Sequence, residues 1–132
     1  MKKLFCVVFV ALGIPAFAGE INAPEVTITT LSPTQTVASG SLRGANYSSD
    51  SNQSISCQVS RTVSRYGSKT RGSCSAVDSA HNQLSCYTQD SEMLKIIASI
   101  NSASVVTFVT DTSLPTSMNC SSLVVVNSST TL

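Results

Sequence analysis

Four cysteines are the residues whose chemistry is most clearly defined by type and spacing. Cys57, Cys74, Cys86 and Cys120 lie 17, 12 and 34 positions apart. The fifth cysteine, Cys6, lies in an N-terminal segment with the pattern of a removable export signal. The four that remain are an even number in a short exported chain and predict two disulfides, whereas structural zinc sites use close C-x2-4-C pairs. Three connectivities are open to four cysteines. We favour the sequential one, Cys57 with Cys74 and Cys86 with Cys120.

The only histidine is the second candidate for chemistry. His81 follows Asp78 by three positions in the sequence DSAHNQ, so a Ser/His/Asp set can be written with any nearby serine. Asp, Ser, His and Asn are also ordinary turn residues, and we interpret His81 as part of an exposed turn. The carboxylates are scattered, and no nucleotide, zinc-protease or haem motif is present. The sequence therefore predicts no enzyme, cofactor or metal site.

The densest charge lies between positions 61 and 71. Arg61, Arg65, Lys69 and Arg71 occur there without an acidic residue, and Tyr66 lies among them. On a hairpin these residues would form a positive contact for lipid headgroups, anionic polysaccharide or nucleic acid. The competing interpretation is a solvated loop whose charges keep a sheet edge from pairing. Six basic and seven acidic residues follow position 18, a net charge of −1, so no specific nucleic-acid partner is predicted.

Short strands should position these groups. Residues 54–64 alternate apolar and polar side chains and predict a strand, and shorter strands are predicted at 73–77 and 84–88. Gly67 and Gly72 predict a turn between the first two strands. A loop centred near Ala80 would make Cys74 and Cys86 cross-strand neighbours, which keeps a Cys74–Cys86 disulfide open as an alternative.

The last third of the chain predicts a helix and two further strands. Met93, Ile96, Ile97 and Ile100 share one helical face, with Asp90 or Ser91 as the N-cap. The β-branched runs at 105–109 and 123–126 predict two buried antiparallel strands. We therefore expect an α+β fold, with a small antiparallel sheet of about five to six short strands, one packed α-helix and two disulfides.

The N-terminus has the pattern of a bacterial export signal. Lys2 and Lys3 precede an apolar run at 4–14, and Ala16-Phe17-Ala18 fits a cleavage site. Residues 1–18 are therefore predicted to be a signal peptide that is cleaved off together with Cys6. The mature chain is predicted to be secreted or periplasmic, without a transmembrane segment. We expect a flexible Thr/Ser/Pro-rich arm at 19–40 and a single disulfide-stabilised domain at 41–132.

Two functional hypotheses follow from these features. The first is an exported, non-enzymatic binding module that contacts an envelope or extracellular surface, a polysaccharide or a protein through the basic segment 61–71. The second is a structural subunit of an extracellular fibre or coat. In that hypothesis residues 25–31, where Thr alternates with Val and Ile, add as a strand to a neighbour's sheet edge.

A resemblance supports a single compact domain. It rests on the order of the cysteines and on short segments across residues 40–128, namely 55–57, 74–78, 86–88, 100–102, 107–111 and Cys120. In these features the chain resembles small exported bacterial four-cysteine proteins that have no established function. The loop with Pro115 before Cys120 is longer here. The resemblance implies no catalytic residues.

Overall fold

The computed structural model describes residues 25–42, 45 and 52–127, which form seven strands and a helix. The predicted signal peptide lies outside the described residues. The elements, in chain order, are β1 (Thr27–Thr30), β2 (Gln35–Ser41), β3 (Ser54–Ser64), β4 (Gly67–Val77), β5 (Gln83–Thr88), α1 (Ser91–Ala98), β6 (Ser104–Asp111) and β7 (Cys120–Asn127).

The strands form two antiparallel sheets. Sheet A has the order β1-β2-β6-β7, and sheet B has the order β3-β4-β5. The α+β expectation holds broadly, since the fold is mostly strand with a packed helix. The expectation of one sheet with five to six strands is corrected to two sheets with seven. Alternation along a segment predicts that it is a strand, but it does not identify the partner strand.

Sheet A incorporates much of the segment that we expected to be a flexible arm. Strand β1 pairs with β2, and β2 pairs on its other side with β6, so β2 is an interior strand. Ala38 is fully buried opposite Phe108. The segment contains few large apolar residues because the core there is filled by Phe108 from β6. The composition of residues 27–41 therefore resembles a linker although it forms two strands.

Sheet B is built on a long hairpin. Strands β3 and β4 pair over eleven positions, from Ser54 with Val77 to Ser64 with Gly67. Strand β5 pairs only with the second half of β4, from Gly72 to Val77. Residues 54–64 form a strand as predicted. The turn expected between Gly67 and Gly72 is instead part of β4, and the chain reverses at Arg65 and Tyr66.

Helix α1 begins at the predicted cap. The Asp90 carboxylate accepts hydrogen bonds from the backbone N–H groups of Glu92 and Met93, at 3.0 and 2.9 Å, which satisfies two donors at the helix start. The helix ends at Ala98, with Ser99 as its C-cap. Its buried residue Ile97 belongs to the core shared by both sheets. No helix in the described ranges is long and apolar enough to cross a membrane.

Two disulfides are present, as the cysteine count predicts. Cys57 and Cys74 are directly paired residues of β3 and β4, with their Cα atoms 4.0 Å apart. Cys86 of β5 is bonded to Cys120 of β7, with a Cα separation of 5.0 Å. The first disulfide lies within sheet B, whereas the second joins sheet B to sheet A.

Candidate binding surface

The five residues predicted to contact an anionic ligand all lie on one hairpin. Beyond the pair of Val59 with Gly72, sheet B consists only of β3 and β4, because β5 extends no further. We call residues 60–71 the projecting hairpin. Five residues on each side of its turn extend it by about 17 Å at the usual rise of a strand. Every residue in it is exposed except the half-buried Thr70.

The tip of the projecting hairpin is ordered by local contacts. The backbone N–H of Tyr66 donates to the Ser64 hydroxyl at 3.2 Å, and that hydroxyl lies 3.3 Å from the Gly67 carbonyl oxygen. Gly67 has a φ of 124°, which residues with a side chain rarely adopt. The Tyr66 ring is 90% exposed, and the Arg65 guanidinium carbon lies 5.6 Å from its centroid. The tip therefore presents a ring and a cation together.

The cations are divided between the two faces of the projecting hairpin. Directly paired residues share a face, and successive residues alternate. Arg61, opposite Thr70, therefore lies on the face that continues from Cys57 and Cys74, which we call the core-side face. Lys69 and Arg71 lie on the opposite face, which we call the open face. The structure thus brings the cations onto one hairpin but not onto one face.

The open face carries shallow grooves beside its two cations. One groove of about 350 Å³ is lined by Ser60, Thr62, Lys69, Arg71 and Gln89. A second, of similar volume, lies nearer the tip, and both Lys69 and Tyr66 border it. The lining residues bring hydroxyl, amide and cationic groups to walls that also expose the carbon atoms of these side chains.

Arg71 is held by an aromatic ring of the neighbouring strand. Its guanidinium carbon lies 5.1 Å from the centroid of the Tyr87 ring, within the range of a cation–π contact. Tyr87 is paired with Ser73 of β4. Ser73 lies two positions after Arg71 on the same strand, so the three side chains share the open face. Sequence reasoning missed Tyr87, Gln89 and the two hydroxyl residues of the groove. The alternation of β5 marks Tyr87 as exposed, but only the register of β4 with β5 places it beside Arg71.

The core-side face of the projecting hairpin has a different character. The Arg61 Nη2 atom donates to the Ser68 hydroxyl at 3.0 Å. Val63 lies beside them and is 75% exposed. Among the described residues, none of the four cations of the hairpin forms an ion pair with a carboxylate, and the single ion pair joins Lys95 to Glu92 of α1. The charge of the hairpin is therefore not neutralised by described neighbours.

His81 and Asp78 lie together in the turn between β4 and β5. The Asp78 carboxylate accepts from the backbone N–H groups of Ala80 and Asn82, at 3.0 and 2.8 Å, and from the Asn82 side chain at 3.0 Å. The hydrogen bond from the Asn82 side chain is the main reason that the Asp78 pKa is lowered. His81 is exposed and has a φ of 65°. These hydrogen bonds show that the role of Asp78 is to hold the turn in its conformation.

The other acidic residues do not converge on a site. Asp90 caps α1. Asp111, at the end of β6, accepts from the backbone and side chain of Ser113, at 2.9 and 2.6 Å, and these bonds lower its pKa. In the described part of the chain, no three His, Cys, Asp or Glu residues lie close enough together to hold a metal ion.

The segment proposed for strand addition is already paired within the chain. Thr27–Thr30 forms the hydrogen-bonded ladder of β1 with β2, and Val26 is buried. The turn between the strands is closed by backbone hydrogen bonds from Leu31 and Ser32 to the Gln35 carbonyl, at 2.9 and 3.2 Å. Release of this segment as a free arm would require these contacts to break first, whereas β1 is the edge strand of sheet A and pairs with a described strand on one side only.

No protein-family model, no curated protein and no solved structure matches this chain.

Proposed function

We propose that this protein is a secreted or periplasmic, non-enzymatic binding module whose projecting hairpin contacts an anionic polymer or surface. The observation that carries the proposal is a two-stranded hairpin with four cations, exposed on both faces. No acidic residue occurs from Ser54 to Val77. A ligand can therefore approach the hairpin from either face without meeting a carboxylate on β3 or β4.

The composition of the hairpin indicates how contact would occur. Exposed cations attract a polyanion over a distance of about 10 Å at moderate salt and increase the rate of encounter. The grooves of the open face then offer hydroxyl and amide groups beside Lys69 and Arg71. The Tyr66 ring at the tip adds an amphipathic contact that suits a polymer or an interface.

Binding assays with two anionic probes test the proposal. The oxidised protein is titrated with alginate, a uronic-acid polymer, and with vesicles that contain phosphatidylglycerol. A variant in which Arg61, Arg65, Lys69 and Arg71 are all changed to Ser should bind at least one probe about 30-fold more weakly, at about 0.5 kcal/mol for each exposed charge contact. Added salt should weaken wild-type binding.

Matched variants assign the contact to a face. Arg61→Ser with Arg65→Ser and Lys69→Ser with Arg71→Ser remove the same charge from different parts of the hairpin. Lys95→Ser, on the exposed surface of α1, is the control for a single lost charge and should bind like wild type. If the fourfold variant binds both probes as tightly as wild type, the projecting hairpin is not the contact.

A further inference from the structure

Three of the four cysteines form a row across sheet B. Cys57 is the register partner of Cys74, and Cys74 is in turn the register partner of Cys86. Directly paired residues of neighbouring strands place their side chains on the same face, with Cβ atoms about 4.5 to 5.5 Å apart. Cys74 therefore has a cysteine on each side. Cys74 forms its disulfide with Cys57. Cys86 forms its disulfide with Cys120 of β7, which lies outside the row.

The members of the row differ in access to solvent. Cys57 is half-buried, whereas Cys74 and Cys86 are 1% and 0% exposed and Cys120 is 7% exposed. Of these four residues, Cys57 is therefore the one most accessible to a thiol in solution. Attack on the Cys57 sulfur expels Cys74 as the leaving thiolate. The thiolate is thus formed inside the core, on the strand next to Cys86.

We propose that the row is a thiol–disulfide exchange relay, in which reduction at Cys57 transfers the inter-sheet disulfide into sheet B. An external dithiol first forms a mixed disulfide with Cys57 and releases the Cys74 thiolate. The second thiol of the reductant resolves the mixed disulfide, so the dithiol is oxidised to its own disulfide and Cys57 becomes a thiol. These steps consume the two electrons of one dithiol.

The next step is internal to the protein and needs no further reductant. The Cys74 thiolate attacks the Cys86 sulfur, a Cys74–Cys86 bond forms, and the Cys86–Cys120 bond breaks. Cys120 leaves as a thiolate and takes up a proton from solvent. The ladder of β4 with β5 holds the reacting residues side by side, and such proximity raises the rate of an exchange. The product has one disulfide within sheet B and free thiols at Cys57 and Cys120.

The exchange changes what connects the two sheets. Before it, Cys86–Cys120 joins sheet B to sheet A covalently. After it, the contact between β5 and the start of β7 depends on non-covalent contacts, including the hydrogen bond from the Tyr87 backbone N–H to the Asn119 side chain, at 2.9 Å. A reductant that reaches only Cys57 would thereby release a cross-link that it cannot itself reach.

Partial reduction followed by peptide mapping tests the relay. The oxidised mature protein, which lacks residues 1–18 and therefore Cys6, receives a limiting amount of dithiothreitol, is quenched with acid, alkylated, and digested with trypsin under mildly acidic, non-reducing conditions. Trypsin separates Cys57 in peptide 44–61 from Cys120 in peptide 96–132, and leaves Cys74 and Cys86 together in peptide 72–95. We expect the half-reduced protein to yield alkylated 44–61, alkylated 96–132, and 72–95 closed by its own disulfide.

Two other patterns would overturn the relay. Peptide 72–95 still linked to 96–132, with Cys57 and Cys74 alkylated, would mean that reduction occurs without exchange. Peptide 72–95 still linked to 44–61, with Cys86 and Cys120 alkylated, would mean that the reductant attacks the inter-sheet disulfide directly.

A cysteine variant provides a second readout that needs no reductant. In Cys57→Ser the Cys74 thiol is free from the start, so a fraction of the molecules should carry the Cys74–Cys86 disulfide and an alkylated Cys120. The control Cys57→Ser with Cys74→Ser lacks the attacking thiol and should retain Cys86–Cys120. If Cys57→Ser also contains only Cys86–Cys120, the relay does not operate. If that variant does not fold, the mapping of the partly reduced wild type decides alone.

Discussion

The Cδ1 atom of Ile97 lies 2.6 Å from the position that a Cβ atom on residue 72 would occupy. Leu94 and Thr88 each place a methyl carbon 3.0 Å from the same point. The absent side chain of Gly72 thus lets α1 pack directly on the backbone of β4. Gly72 is also where β5 begins to pair with β4. This glycine therefore sets how closely the helix approaches sheet B where the projecting hairpin begins.

Gly72→Ala should destabilise the protein because the new methyl group overlaps Ile97. Overpacking of this kind costs about 1 to 3 kcal/mol, and the smaller entropy of the unfolded alanine chain offsets about 0.4 to 1 kcal/mol. We expect a net loss of about 1 to 2 kcal/mol in the free energy of unfolding, measured with urea.

The double variant with Ile97→Val tests this cause. Valine lacks the Cδ1 atom, and Ile97→Val alone should cost about 1 kcal/mol. With both changes the total loss should be smaller than the sum of the two single losses, since the overlapping atom is gone. Additive losses would mean that the strain at position 72 does not arise from Ile97.

The two disulfides should contribute unequally to stability. The Cys86–Cys120 link spans 34 positions and the Cys57–Cys74 link spans 17. In the chain-entropy model these loops correspond to about 4 and about 3 kcal/mol. We therefore expect Cys86→Ala with Cys120→Ala to lower the midpoint of thermal unfolding more than Cys57→Ala with Cys74→Ala. The reverse order would show that the link between the sheets is not the more important one.

Several elements could be predicted from sequence because their signals are local. The alternation of residues 54–64 predicts β3 with its observed bounds, and Asp90 with the apolar positions that follow predicts the start of α1. The even number of cysteines after position 18 predicts two disulfides. Each of these inferences depends on residues close together in the chain or on a count.

The arrangement of the strands could not be predicted because it depends on distant pairs. Ala38 is paired with Phe108 across 70 positions, and this pairing of β2 with β6 makes β2 an interior strand between β1 and β6. A glycine at position 72 predicts a turn. In the structure a glycine is needed there because side chains of α1 lie where its Cβ atom would be. The division of the cations between two faces likewise follows from the true position of the turn, at Arg65 and Tyr66.

Acid should destabilise the protein through the turn that Asp78 organises. Hydrogen bonds to its carboxylate, chiefly from the Asn82 side chain, lower its pKa from 3.8 in the folded state. A carboxyl group with a lowered pKa stabilises the fold fully above its unfolded pKa and loses this contribution as the pH falls through the folded pKa. The free energy of unfolding should therefore hold at neutral pH and fall below about pH 4.

Asp78→Asn tests how much this turn contributes to the acid dependence of stability, apart from the other acidic groups. The variant should be less stable than wild type at neutral pH, and its stability should change less as the pH falls. Asp111 has a pKa lowered by Ser113, so Asp111→Asn should remove a separate part of the same acid dependence. Urea titrations at a series of acidic pH values measure both effects. An unchanged pH dependence in Asp78→Asn would contradict the assignment.

Removal of the projecting hairpin should leave the fold intact while it weakens binding of the anionic probes. Residues 61–70 can be replaced by Asn-Gly, which favours a two-residue hairpin turn. The pair of Ser60 with Arg71 lies four positions from the pair of Ser64 with Gly67 that flanks the natural turn. Because pair types alternate along an antiparallel ladder, both pairs are of the same type. Arg71→Ser in the same protein removes the last cation.

The replaced residues pack against little else, so the midpoint of thermal unfolding should change by only a few degrees, as for surface changes of about 0.5 kcal/mol. Binding to alginate and to anionic vesicles should fall at least as far as in the fourfold serine variant. A large loss of stability would instead show that the fold needs the hairpin. Full stability with undiminished binding would place the contact elsewhere, because the shortened protein would retain everything except the proposed contact.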